Sequence, residues 1–584
     1  MLGCHINCNP TGNCKFANEL NRLCKSSSDS IDNTEKFDDF KKYMHVTRTA
    51  EEDLKAILRN VNAGNKKTLV LLCGSAGDGK SHLLSYLKNS DEEHLIENYT
   101  IFNDATESSA PSKTAIETLN ELLEPFKDNQ LEIPGRNVIL AINLGVLSNF
   151  VESEYGNEFS KLRSYVEDSN ILTTQVNNND FDENGHFQHV SFSDYHMYSL
   201  TKDGIHAGYI EDIMKKVFSA VDENRFYQSY IKDCESCPLS KKCPVKMNYE
   251  FLMEEKRQVY VSQLLVETII KDKVILTTRE ILNFIYNIVV SQEFSFADIQ
   301  KSLVDDSTYL KKFLKQITPA LLFDSTDVTV LMNMLNKYDP LRMRSERTDE
   351  IAISYYVSSD ISKEIKKAFK DIPYGKVICN ESMVAKLNDD KALKSILYNL
   401  IVRIDAFDNN ISEDEVYKNY LADLFIYNAG IGKKLDRLYG IVEKALTQWC
   451  GADEDGNLCL DDKHDGFSLY EAVEFNENLD QLPKASGEDE LQRFIPSIVA
   501  SFYGNDDEVI NLDLDYSLYE LLSRLNSGYI QTANDRNNHA DFISFVDKIL
   551  QTGQLTKVVS VTSADGKKAT ITAGKFGYRF KVVK

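Results

Sequence analysis

The apolar positions of this chain change period twice along its length. Up to about residue 230, short continuous apolar runs alternate with stripes at helical spacing. Leu54, Ile57, Leu58 and Val61 recur at intervals of three and four, predicting a helix that leads into the apolar run at 69–72. A run this short, bounded by a glycine-rich stretch, reads as a buried parallel strand. Leu83, Leu84 and Leu87 make the next helical stripe. A strand follows at 99–103 and a helix with Ile116, Leu119, Leu122, Leu123 and Phe126 on one side. Residues 137–142 predict another fully buried strand, and 189–194 a fourth, before a helix around Ile210 to Val217. Strands alternating with helices predict a parallel sheet covered on both faces.

Beyond residue 245 the period is mostly helical, as in Leu264, Leu265, Thr268 and Ile269, then Ile281, Ile285, Ile288 and Val289. The acidic stretch 451–462 reads as a solvated loop. The tail at 558–572 and 576–583 alternates at strand period around Asp565-Gly566, a strong hairpin turn signal. The expected organisation is a cysteine-dotted segment at 1–45, an α/β domain at 46–230 and a cysteine turn at 231–250. A helical lid and helical region at 251–450, an acidic linker-like stretch at 451–490 and a helical region ending in a β-hairpin at 491–584 complete it. At 584 residues, two to four cores are expected.

Chemistry enters between the first strand and the next helix. Gly74 to Ser81 reads G-S-A-G-D-G-K-S and fills every fixed position of G-x4-G-K-[ST], in the strand–loop–helix context that a phosphate-binding loop requires. Gly74, Gly77 and Gly79 allow the backbone to wrap phosphate oxygens. Ser75, Ala76, Asp78 and His82 complete the stretch expected to touch the nucleotide, and the helix N-terminus favours anions. Lys80 is the candidate for the terminal phosphates and Ser81 for magnesium. The first domain is therefore expected to be an α/β P-loop NTPase domain that binds ATP with Mg2+. A glycine turn matching by chance is disfavoured by the flanks.

Hydrolysis needs a carboxylate at the end of a neighbouring strand. Asp104 is the favoured magnesium-side group and Glu107 a candidate water-polarising base, with Asp194 a weaker third. A plain turn role for Asp104 stands beside that reading. The strand at 138–142 ends in Asn143 rather than aspartate, which suits a polar sensor of the terminal phosphate. Arg279, in the first turn of the helix opened by Thr277, is placed to reach back to the phosphates or to stand as a surface charge. Arg342, Arg344 and Arg347 suit a finger acting in trans in a homo-oligomer, although a solvated basic loop is the simpler reading.

Cys234, Cys237 and Cys243 in C-x2-C-x5-C-P suit zinc or an iron–sulfur cluster, with a fourth ligand from elsewhere. The alternative is a set of small buried thiols. Cys4, His5, Cys8, Cys14 and Cys24 are metal ligands by type, but their spacing matches no metal pattern. Cys73 reads as a core residue. With 11 cysteines and no export signal, disulfides are not expected and a cytoplasmic location is. No run has the apolar length of a membrane span.

The balance of 66 basic against 90 acidic side chains gives a net charge of -24, which disfavours the chain as a main clamp on nucleic acid. The basic tail runs against it: Lys557, Lys567, Lys568, Lys575, Arg579, Lys581 and Lys584 surround Phe576, Tyr578 and Phe580. A nucleic-acid contact and a lysine-protected edge strand fit that pattern, the second better.

Taken in order, the loop at 71–83 (LLCGSAGDGKSHL), NDATES at 103–108, INLGVLSNF at 142–150, the cysteine turn ending in Cys243-Pro244, TREILNFIY at 278–286 and LNSGY at 525–529 form one set. Together they resemble the DptF family, ATPase-like components of DNA phosphorothioation-dependent restriction systems. The resemblance spans most of 46–550, and the first 30 residues lie outside it. It implies a bacterial defence role alongside other restriction subunits, against DNA lacking the phosphorothioate mark. Such a subunit supplies ATP binding and hydrolysis while its partners handle DNA. A nucleotide-switched scaffold with little turnover is the alternative.

Overall fold

A computed structural model describes residues 14–28, 39–75, 78–91, 93–103, 114–173, 176, 179–302, 309–379, 390–409, 414–464, 466–483, 487–505, 508–552, 559–563, 565–574 and 577–583. The chain forms two compact units, one of residues 1–199 with 206–413 and the other of 200–205 with 414–584.

In the first unit, helices α1 (Lys15–Ser28), α2 (Asp39–Met44) and α3 (Thr49–Ala63) precede strand β1 (Leu69–Gly74) and helix α4 (Lys80–Ser90). Next come β2 (Tyr99–Phe102), α5 (Ala115–Leu122), β3 (Asn137–Asn143), α6 (Leu144–Glu152), α7 (Ser160–Asp168) and β4 (Phe187–Ser191). The four strands are all parallel in the order β2-β3-β1-β4. The predicted parallel sheet covered on both faces is therefore present.

Every residue of β1 is buried, which explains an apolar run without alternation. Successive side chains leave a strand on opposite faces, and β1 divides accordingly. Leu69, Leu71 and Cys73 join a core with Leu140, Ile142, Phe150, Phe159 and Leu162. Val70 and Leu72 join the other, with Leu54, Ile57 and Leu58 of α3 and Leu84 and Leu87 of α4. The stripes read from the sequence are the faces that close these two cores.

Two local differences have plain causes. The helix expected through Phe126 stops at Leu122, and a 3-10 turn over Glu124–Phe126 replaces its last turn. Pro125 stands in the first turn of that segment and has no N–H to continue the α-helical ladder. The fourth strand ends at Ser191 and turns through a 3-10 segment, Phe192–Asp194, into β5 (Tyr195–Thr201) and its neighbour β6 (Gly204–His206).

The rest of the first unit is helical, beginning with α8 (Gly208–Phe218), α9 (Arg225–Glu235), α10 (Pro244–Leu252), α11 (Glu255–Asp272) and α12 (Thr278–Val289). Two buried polar nodes bind its helices together. Asn248 of α10 is fully buried, and its amide donates to the carbonyls of Val289 (2.9 Å) and Gln316 (2.8 Å). Its oxygen accepts from the Thr318 N–H (2.9 Å) and the Tyr374 hydroxyl (3.0 Å), so its bonding capacity is filled. Arg403, 3% exposed, forks to Asp324 (2.6 and 2.8 Å) and Asp339 (2.6 and 3.2 Å).

The second unit contains helices Glu415–Asn428, Asp436–Cys450, Tyr516–Asn526 and Ala540–Gln551. Its strands are β7 (Leu458–His464), β8 (Phe467–Glu471), β9 (Glu490–Arg493), β10 (Ile498–Tyr503), β11 (Val509–Leu514), β12 (Val559–Ser563), β13 (Lys568–Gly574) and β14 (Gly577–Val583). The expected hairpin of β12 and β13 turns at Gly566 with φ of 83°. It belongs to a five-stranded sheet, β14-β13-β12-β8-β7, so the stretch read as linker-like supplies two of its strands. Tyr578 and Phe580 stand 80% and 65% exposed on β14, the edge strand.

Replacing Asn248 by alanine leaves four partners short of a bond and should lower the stability of the first unit by roughly 3 kcal/mol. The denaturant midpoint of a far-UV or tryptophan-independent probe of that unit measures it. A loss below about 1 kcal/mol would mean that the node is not needed.

Candidate functional site

The glycine loop emerges where β1 ends, and β1 lies inside the sheet with β3 on one side and β4 on the other. Gly74 is paired across the ladder with Asn143, the last residue of β3. Ala76 and Gly77 lie outside the described residues. Gly74 has φ of 153°, and a Cβ there would meet Asp78 Oδ2 at 2.7 Å and Phe192 Cβ at 3.0 Å. Gly79, at the N-cap of α4, has φ of 100°. Both positions need glycine, one for space and the other for its backbone.

The loop carries its own bracing. The Ser75 N–H donates to the Asp78 carboxylate (2.5 Å). Lys80 is buried to 8% exposure, and its ammonium donates to the Ser75 carbonyl (2.6 Å) and to Asn143 Oδ1 (3.3 Å). A lysine in the first turn of α4 thus spans from the loop backbone to the tip of β3. Ser81 is exposed, its hydroxyl donating to the Asn103 carbonyl (3.4 Å) just past β2. Lys80, Ser81 and Asn143 are thereby brought together at the C-terminal end of the sheet's strands. Asp104 and Glu107, the expected carboxylates, lie outside the described residues.

His82 meets the segment between α2 and α3. Its Nε2 lies 3.2 Å from His45 Nδ1, and the two rings stack at 5.4 Å. His45 also stacks on Tyr86 at 3.5 Å and bonds Glu51 through Nε2 (2.9 Å). Burial alone would raise the Glu51 carboxyl, but hydrogen bonds from His45 and Lys55 outweigh it and hold the group below its ordinary value.

Arg48, which no sequence motif singles out, is the principal external brace of the loop. Its guanidinium donates to the Asp78 carbonyl (2.8 Å) and to the Tyr195 carbonyl (2.9 Å). It also lies 5.4 Å from the Phe192 ring and 5.2 Å from the Tyr209 ring. The Tyr209 hydroxyl bonds the Thr278 hydroxyl (2.7 Å) in the first turn of α12. A chain of contacts therefore runs from the glycine loop through Arg48 and Tyr209 to the start of α12. Arg279, the next residue, is exposed there, on a helix started by a Thr277–Glu280 capping box. Arg48 stands at a helix boundary and belongs to no periodic pattern, so only the fold brings it to the loop.

The remaining candidates divide. Asp194 is buried at 6% exposure in the turn after β4. Cys73 is fully buried, and burial pushes its thiol up to about 12, as befits a core residue of β1. Arg342 donates to Asn336, and Arg347 forks to Asp405 at 2.7 and 3.0 Å, while Arg344 stands 90% exposed. Cys234 lies in the last turn of α9, Cys243 occupies the N-cap of α10, and Cys237 lies between them. Among the described residues, no group of three or more His, Cys, Asp or Glu side chains is placed to hold a metal ion, and all described cysteines are free thiols. Cys4, His5 and Cys8 lie outside the described residues. Among the described residues no helix is long and apolar enough to cross a membrane. No family model matches the chain, and neither curated proteins nor solved structures yield a match.

Proposed function

We propose that this chain binds ATP with magnesium at Gly74–Ser81 and hydrolyses it as a subunit of a restriction assembly acting on DNA that lacks phosphorothioate marks. The observation that carries the nucleotide half is Lys80. It is held at the mouth of a glycine loop, on a helix N-terminus, between the Ser75 carbonyl and Asn143. A phosphate entering that mouth meets backbone N–H groups, a helix N-terminus and an ammonium together. Lys80 would exchange a neutral carbonyl for an anionic oxygen, the stronger acceptor. Asn143 suits a sensor of the terminal phosphate, since it already reaches the lysine that would bind it. Ser81, beside Asn103, suits a magnesium ligand next to the segment that carries Asp104 and Glu107. Arg279 is the candidate lid arginine, because the Arg48–Tyr209–Thr278 contacts bring the start of its helix toward the loop.

The restriction half rests on the ordered resemblance to the DptF family. The acidic balance of the chain supports a subunit whose partners contact DNA. A second reading, a nucleotide-switched scaffold, is favoured by Asn143: the strand directly beside β1 ends in an amide, which cannot activate water as a carboxylate does. In that reading ATP orders the contacts between the loop and α12 without turnover.

Lys80→Ala is expected to weaken binding of a fluorescent ATP analogue in the presence of magnesium by more than about tenfold. Unchanged affinity would remove the loop from the nucleotide site. Asp104→Asn and Glu107→Gln should retain that binding and lose steady-state phosphate release, measured alone and with DNA and partner subunits; if the unaltered protein releases no phosphate in any mixture, the scaffold reading replaces the ATPase. Arg48→Met should reduce ATP affinity through the loosened loop, by up to about thirtyfold, given roughly 1 kcal/mol for each of the two carbonyl bonds lost. An Arg48 variant that is folded and binds as tightly as the parent would show that the brace serves stability alone.

A further inference from the structure

Strand β14 closes one side of the sheet β14-β13-β12-β8-β7, so among the described residues it pairs with β13 alone. Every second residue of such a strand turns its N–H and C=O away from the sheet. Edge strands are ordinarily blunted by being short, bulged, interrupted by proline or covered. Here β14 runs for seven residues without a proline and pairs with β13 in unbroken register from Lys568↔Val583 to Gly574↔Gly577. Residues 577–582 are all exposed. The strand is an open template for another chain.

The two faces of the sheet differ in chemistry at this edge. Successive side chains leave a strand on opposite faces, so Tyr578, Phe580 and Val582 share one and Arg579 and Lys581 the other. The register continues both rows inward. Phe580 stands beside Ile571 and Ile571 beside Val559, whereas Lys581 stands beside Thr570 and Thr570 beside Ser560. An apolar row thus ends at the edge in exposed rings, and a polar row ends there in cations. The neighbouring lysines are already engaged, Lys567 with Asp565 (2.7 Å) and Lys568 with Glu454 (3.0 Å). We propose that β14 takes an extended segment of another protein as a sixth strand, one in which acidic and apolar residues alternate.

Charge and period together select that guest. Backbone pairing along the edge supplies hydrogen bonds whatever the sequence, and the period of two sends alternate guest side chains to the two faces. Carboxylates on one face meet Arg579 and Lys581, and apolar groups on the other cover Tyr578, Phe580 and Val582; such cross-strand pairs are favourable. A second copy of this chain is a poorer guest. Antiparallel pairing of two β14 strands about Phe580 sets Arg579 of each against Lys581 of the other, and like charges directly opposite destabilise a sheet. Nucleic acid also fits less well. The rings that would stack on bases and the cations that would meet phosphates lie on opposite faces, and only a strand along the edge meets both rows.

The test is fluorescence anisotropy of the full-length chain with a labelled peptide of about nine alternating valine and glutamate residues, long enough to span β14. Two control peptides carry lysine in place of glutamate, or proline at the central positions. The glutamate peptide should bind at least about tenfold more tightly than the lysine peptide, and proline should abolish the binding. Amide hydrogen exchange over 577–583 should slow in the complex, a readout that needs no variant. Arg579→Glu combined with Lys581→Glu should invert the preference between the two charged peptides, which an unfolded chain cannot mimic. Equal affinity for both charged peptides, or binding of neither, overturns the proposal. So does a single-stranded oligonucleotide that binds more tightly than the glutamate peptide and is lost on Tyr578→Ala, which makes the face a nucleic-acid platform. Dimerisation that protects 577–583 without peptide overturns it as well, in favour of a second copy.

Discussion

The parallel pairing of β1 between β3 and β4 is the constraint on which the candidate site depends. Each of its apolar side chains contributes about 1.5–3 kcal/mol by burial, so Leu69, Val70, Leu71 and Leu72 hold the strand in register with a large margin. That register sets Gly74 opposite Asn143, and Cys73 opposite both Ile142 and Ser191. The loop must then turn out of a fully buried strand beside Phe192, where a Cβ at Gly74 would be crowded by neighbours. The cost of local backbone strain, of order 1–3 kcal/mol, is smaller than the burial that imposes it. Glycine at these positions is a consequence of the sheet before it is a feature of any ligand.

The same register explains why Lys80 and Asn143 meet. A lysine one residue into α4 lies over the end of β1, and the strand paired beside β1 presents its last side chain at the same height. Nothing in the separate segments 74–81 and 137–143 dictates that contact; it follows from the order β2-β3-β1-β4. The order also separates two tasks: the residue beside the loop strand is an amide, and the segment carrying Asp104 and Glu107 follows the outer strand, β2. On the proposed function, phosphate recognition and water activation would belong to different strands and could be lost separately.

The strands, their parallel sense and the glycine loop were legible because each is a local pattern: a buried run, a stripe at helical spacing, a motif with its flanks. The helix end before Pro125 was misjudged because apolar spacing continues through Phe126 while backbone hydrogen bonding does not. Arg48 was invisible for a different reason. Its partners, the Asp78 and Tyr195 carbonyls and the Phe192 and Tyr209 rings, come from distant segments, and carbonyls have no sequence signature. The spacing of Cys234, Cys237 and Cys243 suits a metal, yet spacing does not fix where the sulfurs stand, and among the described residues no group of three such side chains is placed to hold one. The acidic stretch at 451–490 reads as linker-like because charge suggests solvation, whereas the pairings of β7 and β8 are backbone bonds that a charged sequence does not prevent.

These elements meet on α12. Its N-terminus receives the Tyr209 bond that leads back through Arg48 to the glycine loop, and its flank receives α1. Were the glycine loop to take nucleotide, as proposed, the start of α12 would be well placed to respond, because a single ring contact and a single hydroxyl bond carry Arg48 through Tyr209 to Thr278. No long pathway would be needed for that response, since Arg48 touches the loop and Tyr209 alike.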